Sequence, residues 1–535
     1  MDPIRVEIFA NALRSLTEES FVSLMKSAYS ANIKERKDHS TAVLDSRAQV
    51  VAQTMASPIH IASMTGLAET LREKYGGSDG SFPEVKEGDV FIANDPHVAG
   101  GTHLPDVNLV APVFHEGKVV AFVCNIAHHA DIGGMAAGSM MGGMTEIYQE
   151  GLRIPLIRLF RGGELQEDIL NLLLLNVRVA DERRGDYYAQ IAALRLGLRR
   201  FKEIIGKFGI ADVTQGFAEL IDRTRQRFRS QIAAVPDGLY EFIDLLDDDG
   251  CGTEAIEIRL KAEVAGERIT FDFTGTAPQM RGNLNVTMNA TIASVAFAVQ
   301  ALIDPDCPSN QGMLDTIEIK AEPGTIVNAV APAAVAARAH TCQRIIDVVF
   351  GALAPALPEA SLGASNGANT TLIFSGVDPR TSRAYVYLET LGGGMGARAT
   401  KDGKDGVQVN MTNTSNLPVE AIELEYPLLV EEYALVAGSG GAGKHRGGEG
   451  IRRSVRPLGH TCSFSGVGER FAHQPWGVFG GEPGRSGRFY LTDGSGAVSP
   501  LPGKPAPRDL TPEEMVSVET PGAGGYGPAA ERQKP

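Results

Sequence analysis

Hydrophobic positions recur with the period of a helix at the start of the chain. Residues 2–29 carry apolar side chains every three to four positions, as on the buried stripe of an α-helix. Asp2 suits the N-cap of this helix and Pro3 its first turn. A second helix is predicted over about 60–75, where Gly76 follows the last periodic position. The first stripe consists of Ile4, Ile8, Leu13, Leu16, Leu24 and Met25.

A β-hairpin is predicted a little further along the chain. Two β-rich runs, 107–114 and 119–127, are separated by the short loop 115–118, which contains Gly117. Short glycine-containing loops between such runs are typical of hairpins. The segment 88–95 before them reads as a strand that enters a polar loop.

The later pattern alternates between helical and strand-like segments and becomes rich in glycine and β-branched residues from about residue 370. We expect long helices over 164–206 with an interruption near Gly185, two strands within 253–275, and helices over 284–303, 342–354 and 418–424. This predicts a mixed α/β (α+β) fold with several subdomains, because 535 residues exceed one ordinary core. The predicted regions are an N-terminal α/β part (1–210), a middle α/β part (211–400) and a β- and glycine-rich C-terminal part (401–535).

Composition and charge narrow the function. The formal net charge is −15 and the pI is about 5.3. Nucleic acid and anionic membranes are therefore not expected as partners, since both attract basic surfaces. The five cysteines include no CxxC pair, which favours a reducing, cytoplasmic location over a disulfide framework. The start lacks the pattern of a signal peptide, and apolar stretches such as 292–303 are too short to span a bilayer.

Three of the 11 histidines fall in two short segments, GGTHLPD (100–106) and AHHADIGG (127–134). If the hairpin turns between residues 116 and 117, the numbers of paired residues sum to about 233. Asp106 then lies opposite Ala127 and next to His128. Both polar segments therefore meet at the open end of one hairpin, where opposed Cβ atoms are about 5 Å apart.

This arrangement predicts a metal site in the N-terminal region. His103, Asp106 and His128 could converge on one ion, and a register error of two residues could exchange His128 for His129. Imidazole and carboxylate ligands suit one divalent Zn, Mn or Fe ion, and three protein ligands with an open position are typical of catalytic sites. Asp131 or His129 could then orient a ligand or carry a proton. The alternative is that histidine and aspartate only form polar loops at strand ends.

Three other motifs give weaker evidence for a functional site. The loop GSGGAGKH (438–445) resembles a phosphate loop, but His445 stands where that motif needs Ser or Thr, and 446–455 reads as glycines and a strand instead of a helix. A glycine-rich turn region is the simpler interpretation. The run KERKD (34–38) alone would be a solvated charged face. Glu150 is either a site carboxylate or a charge at a helix end.

Several long segments together resemble one family. They are SANIKERKDHS (30–40), NDPHVAGGTHLPD (94–106), AHHADIGG (127–134), EIYQEGLRIP (146–155), GDYYAQIAALRLGLRR (185–200), LIDPDCPSNQG (302–312), GGAGKHRGGEG (440–450), PWGVFGG (475–481) and TPGAGGYG (520–527). They resemble the hydantoinase B type proteins over nearly the whole chain. That family includes B subunits of ATP-dependent hydantoinases and lactamases, one half of 5-oxoprolinases, and α-type subunits of acetone carboxylases.

The resemblance implies a division of labour between two subunits. A kinase-like partner of the hydantoinase A type binds ATP and phosphorylates the carbonyl oxygen of the substrate. The B-type subunit holds a divalent metal ion where the activated intermediate is hydrolysed or carboxylated. A hetero-oligomer is therefore expected, with ATP required but bound on the partner.

The resemblance also implies roles for single residues. The metal positions of the family match His103, Asp106 and His128, and the aspartate of its ERxDxS motif is Asp38, which resembles a fourth ligand. This replaces the solvated-face interpretation of KERKD. His129 and Glu150 are candidates for moving protons, and Arg36 or Lys34 for holding the phosphate.

The leading hypothesis is the metal-bearing subunit of an ATP-dependent hydrolase that acts on a small cyclic amide, of the hydantoinase, lactamase or 5-oxoprolinase type. The runner-up is the α-type subunit of an ATP-dependent ketone carboxylase. A third hypothesis is a non-catalytic scaffold subunit, in which the His/Asp loops are only structural.

Overall fold

The computed structural model describes residues 2–55, 57–78 and 80–532. Its helices are α1 (Pro3–Ser27), α2 (Ala31–Lys34), α3 (His60–Tyr75), α4 (Ile147–Glu150), α5 (Glu167–Leu175), α6 (Ala180–Phe208), α7 (Ile210–Ile232), α8 (Met288–Ile303), α9 (Gln311–Leu314), α10 (Arg338–Leu353) and α11 (Val419–Glu425). A 3₁₀ turn covers Ala529–Glu531.

The first ten strands are β1 (His39–Asp45), β2 (Val50–Met55), β3 (Val90–Ala93), β4 (Asp106–His115), β5 (Lys118–His128), β6 (Ile157–Arg161), β7 (Glu164–Leu165), β8 (Gly238–Asp248), β9 (Glu254–Ala265) and β10 (Arg268–Asp272). The others are β11 (Ile317–Lys320), β12 (Thr371–Asp378), β13 (Arg383–Thr390), β14 (Leu428–Leu435), β15 (Ile451–Pro457), β16 (Cys462–Val467), β17 (Arg488–Thr492), β18 (Val498–Leu501), β19 (Arg508–Leu510) and β20 (Met515–Glu519).

The described strands form four sheets, which confirms the mixed α/β class. The first is antiparallel with the order β2-β1-β5-β4-β3-β6-β7. The others are β11-β10-β9-β8, β13-β12-β16-β19 and β14-β15-β20-β17-β18. The third sheet pairs strands from both sides of residue 400, and the division into three regions stays a prediction.

Helices cover both faces of the first sheet. Alternate residues of β5 point to opposite faces, so Val123 packs into one core and Cys124 into another. The core around Val123 contains α1, α6 and α7. The core around Cys124 contains α3, α8 and α10 together with β8 to β10. The hairpin therefore separates two hydrophobic cores, and side chains of consecutive residues at its end face opposite sides of the sheet.

The predicted helices are confirmed with two corrections. The buried stripe of α1 is Val6, Phe9, Leu13, Leu16 and Leu24, whereas the predicted Ile4 and Ile8 are 70% and 46% exposed. The stripe is rotated, and Phe9 packs against Phe208 of α6 and Phe217 of α7. The expected helix break near Gly185 is also wrong, since α6 continues through this residue. The helical structure is interrupted instead at residues 176–179, between α5 and α6. A Cβ at Gly185 would meet the ring of Tyr29, so this glycine allows close packing inside a helix.

The hairpin is confirmed, but its register differs by one residue from the predicted one. Glu116 and Gly117 form the turn with φ of +48° and +76°, the left-handed pair that a two-residue hairpin favours. An irregularity between Val113 and Phe114 shifts the pairing, so that Asp106 lies opposite His128 and not opposite Ala127. The extra residue of a bulge changes the alignment of everything beyond it.

The glycine-rich segments near the end of the chain pack backbone against backbone. A Cβ on Gly447 would lie 1.8 Å from the carbonyl oxygen of Ala523, and one on Gly524 would lie 1.9 Å from that of Trp476. The amides of Gly441 and Gly448 donate to the carbonyls of Ala523 and Met395. Within the loop 438–445, the amides of Ser439, Gly441, Lys444 and His445 donate to backbone carbonyls. The strand β15 follows the loop, as predicted.

No helix in the described parts of the chain is long and apolar enough to cross a membrane.

Candidate metal centre

The end of the hairpin brings three predicted ligands together. Asp106 begins β4, His128 ends β5, and their direct pairing places both side chains on the same face of the sheet. His103 lies in the loop that leads into β4. One ligand atom from each residue lies within 4.8 Å of the others. All three are buried, with relative exposures of 0% for His103 and Asp106 and 6% for His128.

Two atoms of this group face each other without partners. His103 Nδ1 lies 3.0 Å from the carbonyl oxygen of Ala336, so it carries the proton and donates it. His103 Nε2 then presents a lone pair 3.2 Å from Asp106 Oδ1. Within the described residues, neither atom has a hydrogen-bond partner. Two buried electron-pair donors at this distance fit a shared cation, and this donor set therefore suits a divalent metal ion.

The other oxygen of Asp106 is held by neighbouring side chains. Asp106 Oδ2 accepts from Thr102 Oγ1 at 3.0 Å and from Arg338 Nη2 at 2.5 Å. Burial alone would raise the pKa of Asp106, but the adjacent His103 and Arg338 hold it well below its ordinary value. The carboxylate therefore stays ionised, with Oδ1 directed at the histidines.

His128 is oriented from the side of α2. The side-chain amide of Asn32 lies 2.9 Å from His128 Nδ1 and 2.6 Å from its backbone oxygen. Burial lowers the pKa of His128 well below its ordinary value, so the ring is neutral, as a metal ligand must be.

The two residues predicted to hold the phosphate have different surroundings. Arg36 is buried and donates to Asn32 and Thr390. Lys34 is about half exposed and pairs with Glu35.

Asp38 borders the group together with a histidine that the sequence analysis did not select. His60 Nε2 lies 3.6 Å from Asp38 Oδ1 and 3.8 Å from Asp106 Oδ1. His60 Nδ1 lies 2.8 Å from Ser40 Oγ, which fixes the ring. His60 is the first residue of α3, a helix predicted at its observed bounds. No signal in the sequence linked His60 to the hairpin, because its proximity to Asp38 and Asp106 depends on how α3 packs against the sheet.

The predicted catalytic residues lie around the group and not in it. His129 points to the opposite face of the sheet, where Nε2 lies 3.0 Å from Gln190 Oε1 and the ring packs on Tyr187. Burial lowers the pKa of His129 to about 4.

Asp131 accepts from the amides of Gly133 and Gly138 and pairs with Arg178 at 3.1 Å.

Glu150 is connected to the group through the backbone. Its Oε1 accepts from the amides of Val335 and Ala336, both at 2.7 Å. Ala336 is the residue whose carbonyl oxygen accepts from His103 Nδ1. Burial raises the pKa of Glu150 to about 8. This glutamate therefore anchors the turn that orients His103.

A cavity opens onto the group. Asp38, His60, Asp106, His128 and Arg338 line one side, and residues from the chain segments near 57, 140, 369, 390 and 412 line the rest.

A family model fits almost the whole chain. The hydantoinase B/oxoprolinase model matches residues 2–529. The chain belongs to the hydantoinase B/oxoprolinase family. A putative B-type D-/L-hydantoinase subunit of a Pseudomonas species is 31% identical over all of this chain and 91% of its own length. The 5-oxoprolinase of Dictyostelium discoideum is 31% identical over 98% of this chain, which spans only 40% of that protein.

Two solved structures share the fold of this hydantoinase B family member. The ATP-dependent caprolactamase from Pseudomonas jessenii superposes with a TM-score of 0.93 at 28% identity, over all of this chain and 92% of the other. Nucleotide-free acetone carboxylase gives a TM-score of 0.91 at 18% identity, over all of this chain and 76% of the other. The second likeness shows a common fold alone.

Proposed function

We propose that this chain is the metal-bearing subunit of an ATP-dependent hydrolase of cyclic amides. The observation that carries the proposal is the unpartnered pair His103 Nε2 and Asp106 Oδ1, 3.2 Å apart and both buried. Asp106 and the neighbouring His128 also line a cavity. The names of the relatives support the substrate class, because they include a hydantoinase subunit, a caprolactamase subunit and 5-oxoprolinases.

The residues around the cavity supply the positioning that such a site needs. His103, Asp106 and His128 would hold the ion, with Asp38 and His60 bordering the open side. A divalent ion in this position supplies Lewis-acid activation of an oxygen nucleophile or of a substrate oxygen. Arg338 fixes the carboxylate of Asp106, and Asn32 fixes the ring of His128. Such outer contacts orient ligands and tune their basicity.

The contacts of the remaining predicted residues support positioning more than direct proton transfer. Glu150 holds the turn at 335–336, and Asp131 holds the loop 131–138 against Arg178. His129 ties the end of β5 to α6 on the other face of the sheet. Arg36 supports Asn32 and Thr390 from inside the fold.

We assign ATP to a kinase-like partner of the hydantoinase A type. Relatives named as B-type and beta-type subunits indicate a multi-subunit enzyme. In this chain the loop amides of Ser439, Gly441, Lys444 and His445 already donate to backbone carbonyls, which leaves that loop poorly suited to phosphates. Phosphorylation of an amide oxygen by the partner would convert it into a leaving group before hydrolysis. The acidic, cysteine-poor chain is consistent with a cytoplasmic enzyme.

Ketone carboxylation is the second candidate, because acetone carboxylase has the same fold. The two reactions make different demands, since carboxylation needs bicarbonate and a ketone, and hydrolysis needs a ring amide.

The test is co-expression of this chain with its kinase-like partner, followed by metal analysis and a panel of hydantoins, lactams and 5-oxoproline. We expect one bound divalent ion per chain and ring opening coupled to ATP hydrolysis. Asp106→Asn should abolish both ring opening and metal binding. Bicarbonate-dependent ATP turnover with a ketone would favour the carboxylase instead. Full activity without metal, or in Asp106→Asn, would leave only a scaffold role for this group.

A further inference from the structure

One segment that carries the family resemblance, GDYYAQIAALRLGLRR (185–200), lies in α6 on the far side of the first sheet from the metal group. Its Gln190 is fully buried. The neighbours of Gln190 on the same helix face, Tyr187, Ile191 and Leu194, belong to the hydrophobic core. An apolar side chain would suit this position for packing, whereas a buried carboxamide costs free energy unless its polar atoms are bonded. The bonds of Gln190 therefore indicate its role.

The carboxamide of Gln190 joins both strands of the hairpin. Its Nε2 donates to the carbonyl oxygen of Val107 at 2.9 Å and to Asn125 Oδ1 at 3.1 Å. Its Oε1 accepts from His129 Nε2 at 3.0 Å, and Asn125 Nδ2 donates to the backbone oxygen of Gln190 at 2.8 Å. Two acceptors on one side and a ring N–H on the other need both a donor and an acceptor at the end of this side chain, and glutamine supplies them.

The residues that Gln190 contacts adjoin two of the proposed metal ligands. Val107 directly follows Asp106 at the start of β4, and His129 directly follows His128 at the end of β5. Consecutive side chains of a strand point to opposite faces of the sheet. Gln190 therefore holds the two strand ends from one face, while Asp106 and His128 point to the metal group on the other.

The same helix also supports the approach to His128 from α2. Asp186, one turn before Gln190, is fully buried, and its Oδ1 accepts from the backbone amides of residues 29 and 30 at 2.9 and 3.0 Å. These residues lead into α2, whose Asn32 orients the ring of His128. The helix α6 thus holds both the end of the hairpin and the short helix that contacts its histidine.

We propose that Gln190 is a positioning residue of the metal centre, which sets the spacing between Asp106 and His128 from the opposite face of the sheet. This rests on the proposed function, since it concerns the ion that these residues would hold. Gln190 acts through Val107 and His129, so its loss should loosen the geometry of the ligands without removing one of them. Ligands whose orientation is less well fixed bind a metal ion with lower affinity.

The test compares wild type with Gln190→Met in the full chain, co-purified with its partner, stripped of metal and titrated with Co²⁺. Methionine keeps the length and the apolar contacts of the side chain and removes the bonds of the carboxamide. We expect the affinity for Co²⁺ to fall roughly 10-fold. The visible absorption bands of bound Co²⁺ should shift, because they report the arrangement of its ligands. Asn125→Ala leaves Gln190 bonded to Val107 and His129 and should give a smaller loss of affinity.

Asn310→Leu is the matched control for the loss of a buried carboxamide. Asn310 is 2% exposed, its Nδ2 donates to Thr224 Oγ1 at 2.9 Å, and its Oδ1 accepts from the amide of Gly312 at 2.9 Å. These bonds join α9 to α7 and do not reach the hairpin. Asn310→Leu should lower the urea midpoint, as Gln190→Met does, but keep the wild-type affinity and spectrum of Co²⁺.

The outcomes separate a positioning role of Gln190 from a purely structural one. Wild-type affinity and spectrum in a folded Gln190→Met would overturn the inference. An equal loss of affinity in Asn310→Leu would also overturn it, because the effect would then follow global stability. If Gln190→Met does not fold, Asn125→Ala and Asn310→Leu are compared by the same criteria. Wild type that binds no divalent ion would instead overturn the proposed metal centre itself.

Discussion

At the scale of single residues, the centre is defined by which atoms lack partners. His103 Nδ1 and Asp106 Oδ2 are both engaged, and this leaves His103 Nε2 and Asp106 Oδ1 facing each other. A hydrogen-bonded ring nitrogen fixes which nitrogen is free to bind metal. The same reasoning separates His128, which faces this group, from His129, which faces α6.

Substitution of the two adjacent histidines should therefore have unequal effects on metal binding. His128→Ala removes a proposed ligand and should lower metal affinity by more than the roughly 10–100-fold that loss of an outer contact costs. His129→Gln keeps a polar group for Gln190 and should retain the wild-type affinity. Metal content after dialysis and titration with Zn²⁺ and Mn²⁺ provide the measurement. Loss of metal in His129→Gln alone would reverse the assignment.

Glu150 offers a second test, because two roles predict different outcomes. If it only accepts from Val335 and Ala336, Glu150→Gln can do the same and should keep both metal and turnover. Glu150→Leu removes the acceptor and should lower metal affinity roughly 10–100-fold through His103. Metal titration and ATP-coupled ring opening are measured for both variants. A Gln variant that keeps its metal but loses turnover would assign proton transfer to Glu150.

At the scale of elements, close contacts between helices and the first sheet set the position of the hairpin. Gly197 of α6 faces β5, where an added Cβ would lie 2.7 Å from Val123 Cγ1. Val123 is buried in the hydrophobic core beneath α6. The glycine therefore lets α6 approach the strand that ends in His128.

Two glycines of α6 give a matched pair for this idea. Gly197→Ala should destabilise the protein by roughly 1–3 kcal/mol, since the packed core has no room for the methyl group. Gly206→Ala should stabilise it by about 0.5–1 kcal/mol, because no described atom lies within 4 Å and alanine favours helix. Urea denaturation of both variants measures the difference. Equal midpoints would show that α6 does not pack tightly on β5.

At the scale of the whole molecule, buried charges join the middle of the chain to its last third. Arg470 binds Asp244 of β8 at 2.7 Å and Asp347 of α10 at 2.6 Å. Lys504 binds Glu469 at 2.8 Å. Breaking such buried pairs leaves uncompensated charges and is strongly destabilising. The helix α10 is thereby held at Asp347, and its first residue Arg338 is held by Asp106.

His340 on α10 makes this region sensitive to acid. Burial, with the positive charges of Lys504 and Arg344, lowers the pKa of His340 to about 3 from 6.5. Between those values the unfolded chain binds a proton that the folded one does not, so stability falls as the pH falls from 6.5 towards 3. The loss from this group is roughly 1 kcal/mol per pH unit. The quantity to compare is the Tm of His340→Leu minus the Tm of wild type. This difference should be more positive at pH 5 than at pH 7.5, because only wild type loses stability through His340. Parallel Tm curves would contradict this.

The sequence by itself determined the elements and the residue types of the centre. Local periodicity was enough for α3, for the hairpin and for the class of fold, since each depends on neighbours along the chain. The His/Asp spacing predicted His103, Asp106 and His128, and the family resemblance added Asp38.

The tertiary structure decided what depends on distant contacts. A single irregularity in β4–β5 set the register, and the face of the sheet separated His128 from His129. His60 and Arg338 lie far from the hairpin in sequence, so no local pattern could link them to it. The bonds of Gln190 to both strands are likewise visible only after folding, because whether a polar atom is satisfied depends on every element packed around it.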